Sequence, residues 1–312
     1  MTTTLTEFNI WEAALTLAGG FLLLGWSSER FVDESVGLAR RLSMSPFLIG
    51  IVIVGFGTSL PELTVSVFSA LDAHADLSLG NAYGSCSYNI AVILGLLALI
   101  HPLRIKPRIR HGILPVLLAV TLISAAILAF CHGVTRLGGI LLLVLFAIYV
   151  FALLRRDARN AIPATTPERS SDGRLLPLAV SLAVLLGSSA LVVWSAETIA
   201  RQLGVPELVI GLTVVAAGTS LPELATSIVA LRRRQTDLIL GNILGSNLFN
   251  MLAVVGISAA LHPLDHAAPE ILSRDLPFLF AITTLLFTRR LTRWRGAVLL
   301  LGFLAYALLT WL

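Results

Sequence analysis

The segment FLIGIVIVGFGTSLPELTVS at residues 47–66 returns as LVIGLTVVAAGTSLPELATS at residues 208–227. At a constant offset of 161, without a gap, residues 40–103 match residues 201–264 at 26 of 64 positions. Chance in so biased a composition would give about five, so the likeness is an internal duplication. GTSLPEL occupies 57–63 and 218–224, and Gly80, Asn81, Gly84, Ser85 and Asn89 recur as Gly241, Asn242, Gly245, Ser246 and Asn250. The His-Pro-Leu that closes the first copy at 101–103 closes the second at 262–264.

Both copies sit in apolar surroundings. Of the 312 residues 56% are hydrophobic and 13% charged, with a mean hydropathy of +0.89. Soluble domains carry about 25% charged residues. The shortfall excludes an ordinary cytosolic enzyme and a disordered chain. The apolar residues fall in runs of about 20, long enough to cross a hydrocarbon core of roughly 30 Å as helices. The expectation is an all-α membrane protein with spans at about 9–28, 45–71, 77–100, 111–131, 137–154, 177–199, 206–231, 237–261, 270–288 and 295–312. Those ten spans divide into two five-helix repeats, 1–154 and 177–312, with repeat cores 40–103 and 201–264 and a polar linker at 155–176. MTTTLTEFNIWEAALTLAGG at the start has no basic residue before its apolar run and is taken as the first span rather than a cleaved signal.

Charge orders the connections. Of the 22 Lys and Arg, 19 fall in odd-numbered connections and only Arg136, Arg201 and Arg274 in even ones. Cationic loops stay in the cytoplasm, which predicts a multi-pass protein of the cell membrane with both termini outside. The net charge of +4 is thereby explained without nucleic acid. Cys86 and Cys131 offer neither a disulfide framework nor metal-ligand spacing. With five spans in each half, the second copy must enter the membrane upside down. Inverted repeats with interrupted helices at corresponding positions mark secondary transporters, whose site lies at the repeat interface near the midplane.

Among the 18 acids, Glu62 and Glu223 alone fall near the middle of long apolar stretches. An ionised carboxylate there costs about 2.5–3.5 kcal/mol on insertion scales, which makes both functional candidates. Pro61 and Pro222 lack an N–H and should break their helices near Thr58-Ser59 and Thr219-Ser220, exposing carbonyls around Gly55 and Ala216. Asn81, Ser85 and Asn89 form a stripe at helical spacing, repeated by Asn242, Ser246 and Asn250 with Asn247 alongside. For Asn81 and Asn242, gluing or gating is as well supported as ligation. Glycines 80, 84 and 95 and their counterparts permit close helix approach. The donor set is hard oxygen, suited to Ca²⁺ or alkali ions. Two carboxylates are neutralised by one Ca²⁺ or by two or more Na⁺, which points to ion swap. The competing readings are protonated glutamates bridging helices, a passive cation channel, and a sensor that transports nothing.

The paired GTSLPEL segments, followed by GNAYGSCSYN at 80–89 and GNILGSNLFN at 241–250, resemble the alpha repeats of the sodium/calcium exchanger family, most closely its compact prokaryotic members. The resemblance implies a non-enzymatic antiporter exchanging Ca²⁺ for Na⁺ or H⁺ by alternating access, needing no cofactor and no second subunit. It implies Glu62 and Glu223 as principal Ca²⁺ ligands. Oxygens would come from Thr58, Ser59, Thr219, Ser220, Ser85, Asn89, Ser246, Asn250 and the carbonyls of Gly55 and Ala216. It further implies that the first and sixth spans slide as a gate. The chain departs from the family pattern at Cys86, where members commonly have Asn as at Asn247, and at Gly55-Phe56, where Ala-Phe is usual. It also has Asn250 where some exchangers place Asp. It lacks the GN-x-x-E signature of proton-coupled cation/Ca²⁺ exchangers, which weighs against that alternative.

Overall fold

The computed structural model describes residues 9–159, 174–205, 216–265 and 267–311. The expected linker at 155–176 and the opening of the expected span 206–231 lie largely outside these residues. The chain runs through α1 (Ile10–Arg41), α2 (Pro46–Thr58), α3 (Leu60–Leu71), α4 (Ala75–Ile100), α5 (Pro107–Cys131) and α6 (Arg136–Arg159). It continues through α7 (Leu175–Gln202), α8 (Ala216–Thr219), α9 (Leu221–Arg232), α10 (Thr236–Leu261), α11 (Leu276–Thr284) and α12 (Arg293–Trp311). Six of these, α1, α4, α5, α6, α7 and α10, are long and apolar enough to cross a membrane; the bent pair α2 and α3 makes a seventh.

The proline breaks fall where the missing N–H requires them. Ser59 (φ −85°, ψ 10°) and Ser220 (φ −91°, ψ 8°) leave helical geometry, and Pro61 and Pro222 open α3 and α9 in their first turns. The bend between α2 and α3 is 47°. Less expected among the described residues are four π-helical turns, at Gly50–Gly55 in α2, Asn89–Leu94 in α4, Phe249–Val254 in α10 and Ile271–Asp275 ahead of α11. A π turn inserts a residue into the i→i+4 ladder and rotates the helix beyond it, a device found mostly at functional sites.

Packing sorts the helices into centre and periphery. All of the apolar window of α10 is buried and 67% of that of α4, against 11% for α6. The two central helices are thus those carrying the Asn and Ser stripes. α2 crosses α10 at backbone contact: a Cβ on Gly241 would meet the Phe47 carbonyl at 2.4 Å, and one on Gly245 the Ile51 Cα at 2.6 Å. Gly80 and Gly84, the first-copy counterparts, have no such neighbour among the described residues.

Two features go beyond the expectations. The helix of the first expected span, 9–28, continues past it and runs 32 residues to Arg41, with Phe31, Val32, Leu38 and Ala39 buried on one face and its charges on the other. It lies along α7, where Gly20 abuts Val192. The all-α architecture carries two short backbone pairings besides. Leu103–Arg104 pairs antiparallel with Arg290–Leu291, and Leu264 bridges to Val134, so the leucine of each His-Pro-Leu fastens the end of its copy to another connection.

Candidate ion-binding site

Glu62 and Glu223 open α3 and α9, directly after the two breaks, and both are fully buried. The breaks aim each serine at the acid of the other copy. Ser59 Oγ donates to Glu223 Oε1 at 3.0 Å and Ser220 Oγ donates to Glu62 Oε1 at 3.2 Å. Such reciprocity is what a two-fold relation between the copies produces. Ser246 Oγ also lies 3.3 Å from Glu223 Oε1, and it reaches the Gly55 carbonyl at 3.0 Å.

Each carboxylate keeps one oxygen in reserve. Glu62 Oε2 and Glu223 Oε2 are buried without a hydrogen-bond partner among the described residues, as are Asn89 Oδ1 and both amide atoms of Asn250. The acids are close enough for their charges to repel, and no cationic side chain stands against either among the described residues. Burying an unpaired carboxylate is costly enough that such an arrangement needs a cation or protons to persist. No cluster of three His, Cys, Asp or Glu occurs among the described residues, so the donors are carboxylate, hydroxyl and amide oxygens.

The remaining candidates divide into those at the acids and those that support them. Thr58 Oγ1 donates back to the Val54 carbonyl at 2.9 Å and lies 3.3 Å from Asn242 Oδ1. Thr219 is half-buried and lines a cavity, whereas Thr58 is sealed. Ser85 is buried on α4, one turn before Asn89. The Gly55 carbonyl is not left open by the break: the Ser59 amide and the Ser246 hydroxyl both donate to it. Ala216 opens α8.

Asn81 and Asn242 serve as glue. Asn81 Nδ2 donates to the Glu62 carbonyl at 3.0 Å and Ser66 Oγ at 2.8 Å. Asn242 Nδ2 donates to the Glu223 carbonyl and to Thr226 and Ser227 hydroxyls at 3.0–3.3 Å. These amides clamp the backbone from which each acid projects. Ser66 and Ser227 are hydrogen-bond partners that sequence reasoning passed over, although they match in the repeat. Further along the central helices, Asn89 Nδ2 donates to Asn247 Oδ1 at 3.2 Å, and Asn247 Nδ2 donates to the Cys86 carbonyl at 3.0 Å.

A cavity of about 290 Å³ reaches the second break between Pro61 and Val65 of α3, Gly218 and Thr219 of α8, and α7 residues from Leu186 to Glu197. The larger cavity, of about 850 Å³, lies between α2, α5 and α6 and includes neither acid.

Buried twin acids on broken helices, ringed by oxygen donors and with a cavity at the second break, are what a membrane transporter of cations requires. A profile described as sodium/calcium exchanger protein matches residues 12–155 and 174–312, so the chain belongs to the sodium/calcium exchanger family and is a cation/Ca²⁺ antiporter. It is 36% identical over 315 residues to the putative antiporter CaxA of Alkalimonas amylolytica, covering 94% of this chain and 97% of that one. It is 27% identical over 345 residues to the sodium/calcium exchanger MaX1 of Methanosarcina acetivorans, covering 94% and 96%. The solved sodium-calcium exchanger NCX_Mj, soaked with Na⁺ and Sr²⁺, superposes with a TM-score of 0.82 at 30% identity, covering 95% of this chain and 98% of that one.

Proposed function

We propose that the protein exchanges Ca²⁺ for Na⁺ across the cell membrane by alternating access, with Glu62 and Glu223 as the shared ligands of both ions. The crossed pairs Ser59–Glu223 and Ser220–Glu62, each leaving one buried carboxylate oxygen unpartnered, carry this reading. Ser59, Ser220, Thr58, Thr219, Ser85, Ser246, Asn89 and Asn250 complete the oxygen shell as the ion changes. A site with two fixed negative charges is near neutral with one Ca²⁺ or two Na⁺, and strongly disfavoured when empty, so transit without an ion is suppressed. That penalty couples the two fluxes.

The ten-span inverted layout expected from the sequence is part of this reading. Loop charge assigns the Glu197 end of α7 to the outside, and the cavity beside Thr219 is lined by α7 from Leu186 to Glu197, which supports entry of ions from that side. Small residues line the seam between α1 and α7: Gly20, Ser27 and Ser28 on one helix and Ser181, Ser188 and Ser189 on the other are buried. Ser189 Oγ donates to the Gly218 carbonyl at 3.2 Å, which ties the seam to the break beside Glu223. A close-fitting seam of this kind lets the two helices move over the core as one body.

The test is uptake in proteoliposomes. Ca²⁺ should enter against an outwardly directed Na⁺ gradient and respond weakly to a proton gradient. Drive by protons alone would replace Na⁺ with H⁺ in this reading, and uptake indifferent to both gradients would defeat antiport.

A further inference from the structure

The repeat makes positions 86 and 247 equivalent, and positions 89 and 250 likewise. The structure brings the first pair into contact. Asn247 Nδ2 donates to the Cys86 carbonyl at 3.0 Å, while the Cys86 thiol lies 3.5 Å from the Asn247 carbonyl. Both residues are fully buried. The second pair differs sharply. Asn89 gives its Nδ2–H to Asn247 Oδ1, which fixes its amide and leaves Oδ1, buried and unpartnered, facing away from that bond. The two-fold counterpart of this bond would run from Asn250 Nδ2 to a carbonyl oxygen on the side chain of residue 86. Cysteine has none. Accordingly both Nδ2 and Oδ1 of Asn250, fully buried, lack a partner among the described residues.

We propose that Cys86 is a positioning residue that leaves Asn250 adjustable, and that it thereby sets the relative hold of the exchange site on Ca²⁺ and Na⁺. The inference rests on the exchange reading above. An amide whose N–H is tied presents its oxygen permanently, as Asn89 does. An untied amide can turn either its oxygen or its nitrogen toward the ions. An ion–dipole contact scales with ionic charge, and Ca²⁺ gathers six to eight oxygens, so a pre-set oxygen favours the divalent ion more than the monovalent one. A thiol at 86, where the second copy has the amide of Asn247, thus weakens Ca²⁺ retention selectively. The benefit is easier Ca²⁺ release.

The experiment measures ⁴⁵Ca²⁺ binding and its displacement by Na⁺ on the purified full-length protein, alongside uptake in proteoliposomes. In Cys86→Asn, the half-saturating Ca²⁺ concentration should fall about fivefold, the size one net hydrogen bond supports, with the Na⁺ value changing less than twofold. Asn247→Cys unties Asn89 and should raise the Ca²⁺ value by a similar factor. The double exchange Cys86→Asn with Asn247→Cys moves the tie from one amide to the other and should return near to the wild-type ratio. A purely structural role would not produce that rescue. In an Asn250→Ala background, Cys86→Asn should lose its effect on the Ca²⁺ value. An unchanged Ca²⁺-to-Na⁺ ratio in Cys86→Asn, or an effect that persists without Asn250, overturns the proposal. Should Cys86→Asn fail to fold, Asn247→Ala decides instead: an unaltered Ca²⁺ value there overturns it equally. Loss of Na⁺-driven uptake in the wild type would instead defeat the exchange reading, and the binding ratio separates the two failures.

Discussion

At the scale of single residues, the site works by holding charge where charge is least welcome. Glu62→Gln or Glu223→Gln removes one of two negative charges facing a divalent ion in a poorly polarisable interior. Truncating one partner of a buried charged contact costs about 3–5 kcal/mol, so Ca²⁺ uptake should fall by at least about a hundredfold while the protein elutes as wild type on size exclusion. Retained uptake in either variant would remove the acids from the mechanism. The serines allow a finer test. Ser59 and Ser220 each donate a single hydrogen bond to the opposite acid, at 3.0 and 3.2 Å. Ser59→Ala and Ser220→Ala should therefore each raise half-saturating Ca²⁺ by about tenfold, and by amounts alike within threefold or so, since hydrogen bonds to charged groups are worth about 1.5–3 kcal/mol. Unequal effects would show that the two-fold pairing does not govern binding. The acids and the Thr-Ser pairs were legible in the sequence because a carboxylate in an apolar run needs a reason. The roles of Asn81 and Asn242 were not. A helical stripe fixes which face an amide occupies, but not whether its N–H meets a neighbouring hydroxyl, and that is what makes both residues clamps.

At the scale of elements, proline made the breaks readable, because a missing donor has one structural consequence. The π turns left no such mark. Those within the repeat cores begin at Gly50, Asn89 and Phe249, in stretches whose hydropathy is unaltered by one inserted residue. The length of α1 was hidden for a related reason: Glu29, Arg30, Asp33 and Glu34 end its hydropathic run, yet Phe31 and Val32 between them are fully buried. Asp33 pairs with Arg233 beyond α9, holding the polar half of α1 against the second copy. The close crossing of α2 and α10 gives the prediction at this scale. In Gly245→Ala the new Cβ would meet the Ile51 Cα at 2.6 Å, where backbone must move. Overpacking of this kind costs about 1–3 kcal/mol, so the melting temperature in detergent should drop by several degrees. Gly25→Ala, on an exposed face of α1 with nothing within 4 Å among the described residues, should leave melting unchanged or raise it slightly. Equal behaviour of the two variants would show that the crossing has slack to absorb a methyl group.

At the scale of the whole molecule, orientation and motion are the properties that a repeat and a charge count anticipate but a single conformation does not display. Orientation can be tested on the native chain, because Cys131 is exposed at the end of α5 and Cys86 is buried. A membrane-impermeant maleimide should label intact cells at Cys131 alone, and labelling only after permeabilisation would invert the assigned topology. Motion is the harder matter. Gly20 on α1 faces Val192 on α7, and a Cβ there would approach the valine Cγ2 at 2.9 Å. That contact lies inside the helix pair expected to move as one body over the core, away from the acids and the central helices. Gly20→Val therefore leaves the oxygen ligands in place but splays the pair, which obstructs passage between the two access states. With about 1–3 kcal/mol added to the transit barrier, the exchange rate should fall about tenfold, while ⁴⁵Ca²⁺ binding to the purified protein stays within about twofold of wild type. Parallel loss of binding and rate would mean that the helix pair is part of the fold alone. An unchanged rate would mean that the moving surface lies elsewhere.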